Sequence, residues 1–173
     1  DHGSGLERYA AALRNDSDMF NIDVFDIPKE VIERLSGKKY GADEQTVYAY
    51  RVILDHIRSA TFLISDGVMP GNKDQMYFVR RLIRRAVRFA RNLGVETNFT
   101  KEIGAAFIAT YKNEYKNLLE QEVTILTELD KEETKFRATR EKGMREFEKI
   151  AADHISGVDA FNLLQSYGFP VEL

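Results

Sequence analysis

Six arginines lie within one stretch, Met76 to Val95, which reads MYFVRRLIRRAVRFARNLGV and contains no acid. They are Arg80, Arg81, Arg84, Arg85, Arg88 and Arg91. Advancing each residue by the roughly 100° of an α-helix sorts the stretch into two arcs. Val79, Leu82, Ile83, Ala86, Val87, Phe89 and Ala90 share one arc, and all six arginines share the other. Guanidinium groups are planar, permanently charged and shaped for phosphate oxygens. The chain has a formal charge of −3, so removing this +6 stretch leaves −9. That asymmetry points to an anion facing the row, and a nucleic-acid backbone is the expected one. The competing expectation is an internal ion-pair network. Its acids must come from elsewhere, because the stretch offers no partner at i,i+4.

Other residues with chemical potential are sparser. Arg51 and Arg58 fall on a neighbouring helical pattern and are expected to extend the basic surface. Asn72 sits in the loop before the arginine stretch, in GVMPGNKDQ (Gly67 to Gln75). Its amide can read a base edge or simply shape a turn. Near the start, Gly3 and Gly5 precede a helical pattern that carries Arg8. Glycines before a helix N-terminus let an anion approach closely. The histidines His2, His56 and His154 are far apart, and there is no cysteine. Disulfides and thiolate zinc sites are therefore excluded, and no metal site is expected.

The elements that position these residues read as helices. Leu6 to Leu13 forms the first. Asn15 to Ile27 is mixed, anchored by Phe20, Val24 and Phe25. Pro28 is expected to open a short helix over Lys29 to Leu35, stopped by Gly37. A strong pattern runs from Glu44 to Ser65 through Val47, Tyr50, Leu54, Ile57, Thr61 and Ile64, and Asp66-Gly67 ends it. Thr100 to Tyr115 reads as a helix with Ile103, Ala106, Phe107 and Thr110 inward. Asn117 to Ile150 is long and charged. Its narrow stripe of Leu118, Leu119, Val123, Leu126, Leu129, Phe136, Met144 and Phe147 predicts one long helix or a helical hairpin. Gly143 within it marks close packing or a break. Ser156 is expected to cap a short helix ending at Gly168, with Pro170 opening another.

The fold class is thus all-α: a helical bundle with a long helix or hairpin and a small C-terminal helical piece. With 173 residues, the chain suits one domain with or without a small appendage. No run of roughly 18 apolar residues is present, so no membrane partner is expected. The helix signal at the C-terminus is expected of a cut made inside a longer protein.

Four stretches together resemble the alanyl-tRNA synthetases. GSGLER, Gly3 to Arg8, is similar to motif 3 of class II synthetases. RVILDHIRSATFLISDGVMPGN, Arg51 to Asn72, leads into YFVRRLIRRAVRFA, Tyr77 to Ala90, and DAFNLLQSYGFPVEL ends the chain. Glu132, Glu133, Phe136, Thr139 and Gly143 also follow the family pattern. The resemblance implies a remnant of the catalytic domain over residues 1–27 and a helical tRNA-recognition domain over residues 28–173. It implies ATP as cofactor, with Mg2+, in an alanine–tRNA ligase. Arg8, Gly3 and Gly5 would face ATP, but motifs 1 and 2 and the editing domain are not present. This stretch alone is therefore expected to bind no cofactor and to be inactive.

The implied partners are the acceptor stem of tRNA-Ala and the rest of the synthetase in cis, with no DNA and a cytoplasmic location. The family reads a G·U pair near the end of that stem, and Asn72 matches the asparagine that takes part. The aspartate that usually acts from the other groove is replaced here by Gln165. A glutamine carries no charge and accepts more weakly from a guanine amino group. Gln75-Met76-Tyr77 likewise replaces the usual Arg-Gly-Tyr. The alternative is a structural helical domain that braces the catalytic domain and binds no RNA by itself.

Overall fold

The computed structural model describes residue 3, residues 5–151 and residues 157–158. Gln165 and the Ser156–Gly168 and Pro170 signals lie outside the described residues, apart from a helical pair at 157–158. The all-α expectation holds, with seven α-helices among the described residues. They are α1 (Leu6–Leu13), α2 (Asp26–Ser36), α3 (Glu44–Ser65), α4 (Asp74–Asn92), α5 (Thr100–Tyr111), α6 (Lys116–Glu120) and α7 (Glu122–Ala151). Two 3-10 turns, Met19–Asn21 and Asp23–Phe25, join α1 to α2. The chain divides into two compact units, one running through Glu132 and one starting at Glu133.

The first unit is organised on α3. Asp43 caps it: one carboxylate oxygen accepts from the Thr46 N–H at 2.8 Å, the other from the Thr46 hydroxyl at 2.7 Å. That cap satisfies a donor the helix itself leaves unpaired. Gly67, at φ 90, follows the last turn. Tyr50, Leu54, Ile57, Thr61 and Ile64 are buried, as their spacing predicts, and Val47 is half-buried. The most extensive helix pairing is α3 with α4. Val79, Leu82, Ile83, Ala86, Val87 and Ala90 of α4 are buried, and Phe89 is half-buried. Burying each of the larger side chains stabilises the fold by about 1.5–3 kcal/mol. The apolar arc read from the sequence is therefore the packing face of α4.

Several boundaries differ from the sequence reading. Helix α2 begins at Asp26, two residues before Pro28, because an N–H in the first turn has no intrahelical acceptor and proline there loses no hydrogen bond. Helix α5 stops at Tyr111, where a turn swings Tyr115 back onto Phe62 at 5.1 Å between ring centroids. The charged region is one long helix, not a hairpin, preceded by the five-residue α6. Gln121 separates the two and resets the helical phase. As a result Leu119 and Val123 are exposed, against expectation, and Ile125 joins Leu118 and Leu129 in the core.

In the second unit, α7 continues without a break through Gly143, which is buried. Arg137 pairs with the buried Glu133 one turn earlier at 2.8 Å.

Candidate nucleic-acid interface

Helix α4 presents its arginines in two rows. Arg81, Arg85 and Arg91 are exposed, whereas Arg80, Arg84 and Arg88 are half-buried. Steps of four residues separate Arg80, Arg84 and Arg88, so they line one side of the helix. On that side Glu132 of α7 approaches. Its Oε1 lies 2.7 Å from Arg84 Nε and 3.3 Å from Arg80 Nε. Arg80 and Arg84 thus join an internal ion pair, as the competing expectation has it for part of the row, and Arg81, Arg85 and Arg91 face outward.

The outward row has few charged partners. Arg81 has no ion-pair partner among the described residues. Arg85 donates to the Tyr48 hydroxyl at 3.2 Å, and its guanidinium sits 5.8 Å from the Phe89 ring centre. The guanidinium of Arg88, from the half-buried row, lies 5.7 Å from the same ring centre. Arg91 approaches Glu96 at 3.4 Å, with both side chains well exposed. Such a surface pair contributes at most about 1 kcal/mol.

Asn72 lies at the N-terminal end of this helix and is exposed. Arg80 donates through Nη1 to its Oδ1. The surrounding loop is held by backbone contacts. The Gly71 N–H donates to the Met76 carbonyl at 2.9 Å. A Cβ on Gly71 would lie 2.7 Å from Met76 Cβ, so only glycine fits there. Asp74 starts the helix at φ 45, a left-handed conformation that Asp tolerates better than most residues. Met76, Tyr77 and Phe78 are exposed on the same turn. The sequence reading named Met76 and Tyr77 as departures from the family pattern but did not expect three exposed apolar side chains in succession at a helix start.

Arg51 and Arg58 are engaged elsewhere. Arg51 pairs with Asp18 at 2.9 Å and donates to the Tyr40 hydroxyl at 3.0 Å. Arg58 donates to Glu7 at 2.7 Å and stacks 5.0 Å from the Phe25 ring centre. His56 lies against Asp55 at 2.9 Å, a local contact without a nucleophile.

Arg8 is exposed in the first turn of α1, and Gly5 occupies the cap position without a side-chain bond to the helix. Gly5 has an ordinary φ of −81, so the turn does not require glycine for conformation. An exposed guanidinium beside uncapped N–H groups has the chemistry to meet an anion. No cluster of three His, Cys, Asp or Glu side chains that could hold a metal ion occurs among the described residues. No described helix is long and apolar enough to cross a membrane.

Glu132 is the functional-site residue that sequence reasoning missed as a partner of the arginines. Its signal was its place: it follows the inward Leu129 by three residues and precedes the inward Phe136 by four, which puts a carboxylate on a buried face.

Curated relatives match the chain along its full length. A protein from Acidithiobacillus ferridurans named alanine–tRNA ligase is 40% identical over 178 residues, and one of the same name from Microcystis aeruginosa is 40% identical over 177. A third, from Dehalococcoides mccartyi, is 38% identical over 177 residues. In each case the match takes in 100% of this chain and 20% of the relative, so the chain spans about a fifth of their length. The family profile described as tRNA synthetases class II (A) matches residues 1–173, and the chain belongs to that family.

Proposed function

We propose that this chain is the tRNA acceptor-stem binding and recognition region of an alanine–tRNA ligase, the enzyme that attaches alanine to tRNA-Ala using ATP. The observation that carries the reading is the outward row of Arg81, Arg85 and Arg91 on a rigid helix that begins beside the exposed amide of Asn72. The names and full-length similarity of the relatives support it. Phosphate contacts position an RNA, and base contacts specify it. In this reading the outward arginines hold the backbone of the stem and set its register, and Asn72 meets a base edge. Gln165 takes the place of the family aspartate at the same pair.

Residues 28–173 form the RNA-facing helical domain in this reading, and residues 1–27 belong with the catalytic domain. Leu6, Tyr9 and Leu13 expose an apolar face of α1, at 80%, 56% and 89%. That face suits packing against the rest of the synthetase in cis. Arg8 would hold a phosphate of ATP, with Gly3 and Gly5 leaving room for its approach. ATP, when bound, activates the alanine carboxylate, and Mg2+ accompanies it in the family. A cytoplasmic location follows from the same reading.

The test is binding of the chain to a tRNA-Ala acceptor-stem hairpin at two salt concentrations. Expected is binding whose logarithm falls with log salt by about 0.9 for each phosphate contact. A second reading, a helical brace without RNA binding of its own, is favoured by the ion pairs of Arg58 with Glu7 and of Arg84 with Glu132. Absence of binding at both salt concentrations would select it.

A further inference from the structure

Two carboxylates are buried among the described residues, Glu132 and Glu133. A buried carboxylate is costly unless it is paired. Arg84 is the nearer cation to Glu132 and donates to it from Nε at 2.7 Å. Arg80 is a different case. Its side chain is only 12% exposed, and its Nε is buried 3.3 Å from Glu132 Oε1 without a well-formed hydrogen bond. The other end of the same guanidinium donates to Asn72 Oδ1. Arg80 therefore bridges α7 to the loop before α4, at the expense of its own hydrogen bonding.

The consequence falls on Asn72. A guanidinium has donors and no acceptor, so the amide oxygen must face Arg80. The amino group is then directed the other way. The backbone of the same loop is fixed by Gly71 against Met76 and by Asp74 at φ 45. An exposed asparagine normally samples both amide orientations. Here one orientation is selected by a bridge that ends on a buried charge.

We propose that Glu132 and Arg80 are positioning residues that hold the amide of Asn72 with its amino group outward, as a hydrogen-bond donor to an acceptor on the edge of an RNA base. The inference rests on the acceptor-stem reading above. It assigns Arg80 to orientation and leaves the phosphate grip to Arg81, Arg85 and Arg91. A locked donor gives selectivity because a base edge that offers a donor in its place leaves both groups unpaired.

The test compares two RNA hairpins that carry the acceptor stem, one with its G·U pair and one with that pair changed to G·C. Dissociation constants are measured by fluorescence anisotropy for the full chain and for Glu132→Gln, Arg80→Lys and Asn72→Asp, with circular dichroism confirming that each is folded. Glu132→Gln keeps an acceptor for the arginines and removes the charge. Arg80→Lys keeps the charge and removes the fork that reaches both partners. Asn72→Asp keeps an acceptor for Arg80 and removes the donor. The expected result is a preference for the G·U hairpin that falls at least about fivefold in each folded variant, the lower end of what one base contact discriminates. In Glu132→Gln, which alters a buried side chain away from the RNA, the affinity for the G·C hairpin should change less than about twofold, since it depends on the phosphate contacts of the outward arginines. An undiminished preference in folded Glu132→Gln and Arg80→Lys overturns the inference, as does equal weakening of both hairpins. If Glu132→Gln does not fold, Arg80→Lys decides. A wild-type chain that binds both hairpins equally is a separate failure: it removes the acceptor-stem readout itself, and the inference with it.

Discussion

Arg58, near the middle of α3, donates a hydrogen bond at 2.7 Å to Glu7 in the first turn of α1. The Tyr111 hydroxyl lies 3.4 Å from the same nitrogen, and the guanidinium faces the Phe25 ring. The Glu7 carboxyl is held below the usual carboxylate range, first by a backbone N–H and then by Arg58, against the opposing effect of partial burial. This arrangement ties the first helix to the body of the unit. Arg58 is thereby a brace, although its charge and spacing gave it a place on the basic surface.

Replacing Arg58 by alanine should therefore destabilise the chain by about 1–3 kcal/mol, the range for a hydrogen bond to a charged group in a partly buried site. Urea unfolding followed by circular dichroism measures it. The salt dependence of RNA binding should stay as in the wild type. A variant of unchanged stability with a flattened salt slope would show that Arg58 leaves Glu7 and contacts the RNA.

The two rows of α4 should respond oppositely to truncation. Arg81→Ala and Arg85→Ala remove exposed cations, so each should reduce the slope of log affinity against log salt by about 1 and leave stability within about 0.5 kcal/mol. Arg84→Ala removes the closer of two cations from the buried Glu132. It should cost about 2–3 kcal/mol of stability, somewhat less than breaking a buried pair outright, because Arg80 remains. Unfolding curves and binding isotherms on the same three variants separate the two behaviours.

These contrasts show what was legible in the sequence. Spacing alone identified the apolar arc of α4 and the run of α3, because burial follows helical period over many residues. It could not divide the six arginines, since all lie on the polar arc and only the approach of α7 distinguishes Arg80 and Arg84. Asp66-Gly67 gave the C-terminal end of α3 through local capping chemistry. The end of α5 was not visible, because it is set by Tyr115 meeting Phe62, a tertiary contact. Leu119 and Val123 were misplaced for a similar reason: one residue, Gln121, changes the phase, and the pattern on each side is apolar enough to hide it.

Asp18, Tyr40 and Arg51 form a cluster whose titration should be measurable. Tyr40 donates to Asp18 Oδ2, and Arg51 pairs with the same oxygen at 2.9 Å. Burial, aided by the hydrogen bond to Asp18, pushes the Tyr40 hydroxyl up to about 12. Burial opposes ionisation of Asp18, yet the bonds from Tyr40 and Arg51 outweigh it and hold the carboxyl below its usual value. A raised tyrosine stabilises the fold fully below its unfolded value of about 10, and that contribution is lost as pH rises through about 12. A lowered carboxyl contributes above its unfolded value of about 3.9 and is lost as pH falls below it. Tyr40→Phe should therefore flatten the alkaline limb of stability against pH, and Asp18→Asn the acid limb. Tyr50 is also raised by burial, so the alkaline limb should be reduced and not abolished. Denaturant midpoints across the pH range read both effects.

Gly104 links packing to the candidate site. It lies on α5, and a Cβ there would fall 2.6 Å from Leu129 Cδ1, with Leu126 Cδ2 at 3.4 Å. Leu129 is fully buried and sits three residues before Glu132 on α7. Gly104→Ala must therefore push α7 away from α5 or force Leu129 from its rotamer, at a cost of about 1–3 kcal/mol. The greater helix propensity of alanine recovers at most about 1 kcal/mol, so the net effect should be a lower melting temperature. Because the displaced segment carries Glu132, the distances to Arg80 and Arg84 should lengthen as well. The variant should then lose both stability and preference for the G·U hairpin, while its salt slope, set by the outward arginines, stays near that of the wild type. Lost stability with an intact preference would mean that α7 yields at Leu129 without moving Glu132.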